Sequence, residues 1–167
     1  MPVCVWAPLR QFVASITGGP VNLNRDFKEF IASLNANGVR YLIVGGYAVA
    51  FHGHPRYTKD LDVWIEISPE NAARVLQSLE AFGFGAIGLK PNDFEQADQV
   101  VQLGRPPQRI DLLTSADGVS FAECHAARIE AEIDGVKACF INLDHLKRNK
   151  RASGRHQDLA DIENLEN

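Results

Sequence analysis

Three aspartates carry the chemistry this chain can offer. Asp60 and Asp62 stand one residue apart, and Asp111 sits inside a second apolar run, Arg109-Ile110-Asp111-Leu112-Leu113. From Asp60 to Ile67, Leu61, Val63, Ile65 and Ile67 alternate with Asp60, Asp62, Trp64 and Glu66, which predicts a strand with one face buried. Asp60 and Asp62 then project from the same face about 7 Å apart, although aspartate is disfavoured in strands. One reading is a solvated strand face. The other is a divalent-cation site, because Mg2+ takes oxygen ligands from one or two carboxylates together with substrate phosphates. If Asp111 lies on the strand beside Asp62, three carboxylates converge, and any two about 4 Å apart repel by roughly 4 kcal/mol at an effective dielectric of about 20. Such a cluster calls for a cation.

A second feature precedes the acids. Gly45 and Gly46 directly follow the apolar run Tyr41-Leu42-Ile43-Val44 and open a small-residue segment of helical character. They mark either an ordinary strand-to-helix turn or a place where backbone approaches a phosphate, since glycine removes the Cβ that would block it. Between the glycines and the acids lie His52, His54, Arg56, Thr58 and Lys59. The histidines either hold the loop or grip an acceptor, and a His-x-His pair alone is a poor zinc signal. Tyr47 and Trp64 are either core or rim residues or stack on a base. Arg109 shares a strand face with Asp111 and pairs with a carboxylate.

The elements that must position these groups are readable from periodicity and punctuation. Asn24 caps a helix with Phe27, Phe30, Ile31 and Leu34 on one face, closed by Gly38, and a strand follows over Val39 to Val44. Ser68-Pro69-Glu70 starts a helix that buries Ala72, Val75, Leu76, Leu79 and Phe82. Gly83 to Asp98 reads as a connection with solvated acids. Val100 to Leu103 and Arg109 to Leu113 read as strands joined through Gly104-Arg105-Pro106-Pro107, and Phe121 to Ala126 as a short helix. Asp134-Gly135 makes a tight hairpin of Ala127 to Ile133 and Val136 to Ile141. Asn142 caps a helix over Leu143 to Ser153 crowded with Lys147, Arg148, Lys150 and Arg151; from Arg155 a last helix turns Leu159, Ile162 and Leu165 inward. Residues 1-20 form an N-terminal extension, with a helix around Leu9 to Ile16 or a loosely held segment, and residues 21-167 form one domain.

The combination of Gly45-Gly46 after a hydrophobic residue, Asp60-Leu61-Asp62 and Ile110-Asp111-Leu112 resembles the nucleotidyltransferase superfamily of DNA polymerase β type, filling its three motif positions. Within it, Gly45-Gly46-Tyr47-Ala48, His52-Gly53 and Arg56-x-Thr58-x-Asp60-x-Asp62 look most like small bacterial proteins akin to the toxin of abortive-infection AbiE systems. That resemblance runs from about Asp26 to Leu165. It extends to Lys150, which matches a late-helix lysine, and to Arg155, Asp158 and Asp161, which match Arg-x-Lys-Asp-x-x-Asp with Gln157 in place of the lysine. It implies an α+β nucleotidyltransferase fold, a mixed β-sheet flanked by helices. It further implies an NTP donor, Mg2+ or Mn2+ on Asp60, Asp62 and Asp111 as the catalytic acids, and nucleotide contacts from Gly45, Gly46, Arg56, Lys150 and Asp158. The acceptor would be RNA, a protein hydroxyl or a small molecule, and a toxin–antitoxin or phage-defence setting would bring a protein partner.

Composition narrows the remaining classes. Of 167 residues, 46% are apolar and 23% charged, the balance of a globular domain with a real core, and a net charge of -4 leaves no global basic field for nucleic acid. Cys4, Cys124 and Cys139 are odd in number and unspaced for metal, as expected of reduced thiols in the cytoplasm. No run approaches the ~18 apolar residues of a membrane span, and the N-terminus is a poor signal peptide. An enzyme and a non-catalytic regulator or partner-binding module that keeps the fold both remain. The intact acids favour the enzyme. Aminoglycoside adenylylation shares the Gly-Gly and Asp-x-Asp pattern, but nothing in the chain offers a surface for a polycationic drug.

Overall fold

The four residues of β1 (Tyr41–Val44) are all buried and form an inner strand of a mixed sheet that has six strands among the described residues. The computed structural model describes residues 21–167; the expected extension over residues 1-20, its helix around Leu9 to Ile16 and Cys4 lie outside the described residues. β1 runs antiparallel to β2 (Asp60–Ile65) and parallel to β6 (Val136–Phe140). β2 runs parallel to β4 (Arg109–Leu113), whose other side pairs antiparallel with β3 (Val100–Leu103), and β5 (Ile129–Ile133) completes the hairpin with β6. The architecture is α+β, as the sequence implies.

Helices α1 (Arg25–Ala36) and α3 (Pro69–Phe82) pack against each other, and their apolar stripes join Leu61, Val63 and Ile65 in one core. Asn24 caps α1 by accepting from Phe27 N at 2.8 Å, and Ser68 caps α3 by accepting from Asn71 N at 3.1 Å. Phe30 is fully buried and meets the ring of Phe82 edge-on at 5.3 Å. Phe30→Ala should therefore cost about 3–5 kcal/mol, read as a lowered urea midpoint with an unchanged slope.

The motif strand is shorter than its alternation suggests. β2 ends at Ile65, and Ile67 is exposed. Asn71, buried at the start of α3, accepts from Arg40 N at 2.8 Å and donates to the carbonyls of Arg40 and Glu66 at 3.1 and 2.9 Å. Its side chain takes over the backbone groups at the end of the ladder, and the chain turns into α3. Trp64 lies on the acid-bearing face by parity yet is only 2% exposed, because Phe121 of α4 (Phe121–Ala126) covers it edge-on at 5.2 Å. The connection after Gly83 contains two short 3-10 turns and buries Phe94.

The remaining helices are α2 (Gly45–Phe51), α5 (Leu143–Ser153) and α6 (His156–Glu166). α6 departs from expectation at Leu159, which is 47% exposed, while Ile162 and Leu165 are buried as expected. The inward place on that helix belongs to an acid, Asp161. Cys124 and Cys139 are free thiols. Among the described residues no helix is long and apolar enough to cross a membrane.

Candidate functional site

Register alone brings the acids together. The parallel pairing of β2 with β4 sets Asp62 opposite Asp111 and Asp60 opposite Arg109. The antiparallel pairing of β1 with β2 sets Val44 opposite Asp62, so the chain leaving β1 turns immediately beside that carboxylate. It turns at Gly45, whose φ of +65° is left-handed and accessible to glycine at little cost. A Cβ on Gly45 would collide with Asp62 Oδ2 and lie 2.9 Å from its Cγ; one on Gly46 would lie 2.7 Å from Thr58 Oγ1. Gly45→Ala is expected to lower the melting temperature, by strain of at least about 1–2 kcal/mol from the left-handed backbone before the collision is counted.

The three acids are not equivalent. One nitrogen of Arg109, Nη2, donates to Asp60 Oδ2 at 2.7 Å and to Asp111 Oδ2 at 3.1 Å, and Arg109 Nε makes an off-axis ion contact with Asp111 Oδ1 at 2.9 Å. Asp60 Oδ1 and Asp111 Oδ1 are buried without a directional hydrogen bond. Among the described residues Asp62 has no ion-pair partner. Burial, then the charges of Asp111 and Asp60, push its carboxyl up to about 7 against the pull of Lys150 and Arg109. Asp111 is also raised by burial, a shift that Arg109 opposes.

A second charged cluster faces them from α5 and α6. Lys150, 3% exposed, reaches Asp158 Oδ1 at 2.8 Å and Asp161 Oδ2 at 2.7 Å. Asp161, with a side chain 0% exposed, accepts both arms of Arg56 at 2.8 and 3.0 Å, and Gln157 Nε2 donates to it at 3.2 Å. Gln157, where the sequence departs from its resemblance, thus supplies a neutral donor to the same carboxylate. Burial acts upward on Asp158 and Asp161, but hydrogen bonds from Lys150 to both, from Ser153 to Asp158 and from Arg56 to Asp161 outweigh it and hold both below the usual range. Lys150 is accordingly not a free cation: Arg56, Lys150, Asp158 and Asp161 neutralise one another.

Gly45, Gly46, Arg56, Asp60, Asp62, Asp111, Lys150 and Asp158, the eight residues singled out from the sequence, all line one cleft of about 530 Å³. Its charged lining is Asp60, Asp62, Asp98, Asp111, Asp117 and Asp158 against Arg56, Arg109, Lys150 and Arg155. Asp98 is exposed, as expected, and also lines this cleft. Arg109, expected to pair with a carboxylate, pairs with two, and Asp161, matched to the late motif without a site role, anchors the second cluster. The other conspicuous residues lie elsewhere. His52 bonds through Nε2 to the carbonyl of Ile141 at 2.9 Å, Tyr47 packs edge-on to Phe27 at 5.7 Å, and Arg148 and Arg151 pair with Glu123 and Glu166.

Known proteins give the cleft a family. No curated protein shows significant similarity to the chain. The solved structure of an antigenic nucleotidyltransferase-like protein from Paracoccidioides brasiliensis is 22% identical, over 86% of this chain and 77% of that one, with a TM-score of 0.47. Residues 22–166 match the model of a family described as "Nucleotidyltransferase of unknown function (DUF6036)", and the chain belongs to that family.

Proposed function

We propose that the protein transfers a nucleotidyl group from an NTP to an acceptor hydroxyl with the help of a divalent cation, Mg2+ or Mn2+. The supporting observation is the register that sets Asp62 opposite Asp111 with Gly45 closed against Asp62. Acids and a side-chain-free backbone turn thus share one cleft. The donor set fits a hard cation: all three side chains are carboxylates, Asp60 Oδ1 is buried without a hydrogen bond, and Asp111 Oδ1 has only the off-axis contact with Arg109. Among the described residues no three His, Cys, Asp or Glu side chains are already drawn round one point, and Arg109 bridges two of the acids. With six carboxylates and four basic groups in its lining, the cleft would repel an NTP that arrived without added positive charge. Asp60, Asp62 and Asp111 would hold the cation. When bound, it supplies charge neutralisation at the phosphates and lowers the cost of an attacking oxygen.

The chain's own residues do the rest. Gly45 and Gly46 present backbone that a phosphate can approach. Asp158 and Asp161 fix Lys150 and Arg56 at the wall of the cleft, so both cations are held in place before substrate arrives. Asp111 would take the proton of the acceptor hydroxyl as its oxygen bonds to the α-phosphorus and the bond to the leaving pyrophosphate breaks. The acceptor class is RNA, a protein hydroxyl or a small molecule, and the AbiE-like motifs extend the reading to a toxin restrained by a partner protein in the cytoplasm.

Incubation with each α-labelled NTP, Mg2+ or Mn2+, and separate pools of RNA, protein and small metabolites tests this. Label should enter one pool and fail to do so with Asp62→Asn. Absence of label from every pool would favour a non-catalytic binding module instead.

A further inference from the structure

We infer that Arg109 occupies the place of a cation between Asp60 and Asp111, and that it passes to the phosphates of the nucleotide when a divalent ion takes those carboxylates. The inference rests on the proposed transferase reading and adds a nucleotide-binding residue to it. A single guanidinium nitrogen, Nη2, is shared between oxygens of two acids that stand on neighbouring strands, at 2.7 and 3.1 Å. The backbone dictates this: Arg109 is the register partner of Asp60 and lies two residues before Asp111 on the same strand face. A hard cation held by Asp60 and Asp111 would set a double positive charge within a few ångströms of that guanidinium, and the like-charge repulsion would drive the arginine off the two acids.

The displaced group has somewhere to go. Arg109 lines the cleft, and its side chain is 27% exposed at the first residue of β4, so rotation about its own side-chain bonds carries the guanidinium into the cleft without moving the strand. It would find work there. Arg56 and Lys150 are already neutralised by Asp158 and Asp161, and Arg155 sits 3.7 Å from Asp158 with an 80% exposed side chain. Among the described residues the phosphates would meet no unpaired cation deep in the cleft except Arg109 once it leaves the acids, and its planar fork matches phosphate oxygens in pairs. Ion and arginine therefore compete at the acids, while ion and nucleotide cooperate through the arginine.

Mn2+ binding, followed by the paramagnetic signal of the free ion, and binding of a non-hydrolysable ATP analogue at saturating Mn2+, followed by calorimetry, test this on wild type, Arg109→Gln and Arg109→Lys. Arg109→Gln should bind Mn2+ about tenfold more tightly without nucleotide and the analogue about tenfold more weakly with Mn2+ present. Arg109→Lys retains a charge at the site but not the fork, and should fall between the two in both measurements, which guards against misreading a folding defect. If wild type binds Mn2+ and analogue but neither affinity changes in Arg109→Gln, or if its Mn2+ affinity falls, this inference is overturned and the transferase reading stands. If neither protein binds Mn2+ or analogue, both are overturned.

Discussion

Asp62→Asn is expected to abolish nucleotidyl transfer while making the metal-free protein more stable than wild type at pH 8. The activity loss follows from removing the one acid that faces Asp111 across the strands and touches the glycine turn; at least about 10²-fold is expected where a charge that stabilises the transition state is lost. The stability gain follows from the sign of its titration. Burial first, and the charges of Asp111 and Asp60 next, raise the Asp62 carboxyl from 3.8 to about 7. A raised acid favours the folded state fully below its unfolded value, and that contribution drains away as pH rises towards and through about 7. At pH 8 wild type thus carries a half-buried carboxylate with no ion-pair partner among the described residues, at a cost of about 1–3 kcal/mol that the amide does not incur. Thermal melts in a chelator should show Asp62→Asn and wild type close together near pH 4 and progressively separated, with the variant higher, up to pH 8. A variant that melts lower at pH 8 would show that Asp62 is stabilised as an anion and needs no cation.

Asp161→Ala should produce the largest stability loss in the site, about 3–5 kcal/mol by urea unfolding at pH 7. Asp161 is completely buried and holds Arg56 through both oxygens and Lys150 through one. Its removal strands part of the charge of Lys150, itself 3% exposed, and leaves Arg56 without an acid. Asp161→Asn keeps the shape and an acceptor and should lose distinctly less. The pH dependence has the opposite sign to that of Asp62. Asp158 and Asp161 are both lowered, so their stabilisation is present above the ordinary carboxylate value of 3.8 and is lost as pH falls below it. The metal-free protein should therefore be most stable between these two limits, and the Asp161→Ala variant should show a shallower acid limb.

Much of the fold was legible because its signals are local. Caps at Asn24, Ser68 and Asn142, the Asp134-Gly135 turn and the apolar spacing of α1 each depend on residues within a few positions, and the structure bears them out. The departures come from partners remote in sequence. Ile67 drops out of β2 because Asn71 captures the backbone there, Trp64 is buried because Phe121 arrives from far along the chain, and Leu159 faces outward because Asp161 is needed inward by Arg56 and Lys150. The cleft follows the same division. Asp60, Asp62, Asp111 and the glycines stood out by residue type and spacing. That Lys150 would be neutralised, and that Arg109 would bridge two of the acids, depended on distances between elements that no spacing encodes.

The most direct test is anomalous diffraction from crystals grown with Mn2+ and a non-hydrolysable NTP analogue. A manganese peak within coordination distance of Asp60, Asp62 and Asp111, with the analogue's phosphates against Gly45 and Gly46, is the expected result. Manganese bound elsewhere, or an analogue that fills the cleft while Arg109 still bridges Asp60 and Asp111 and no ion is present, would contradict it.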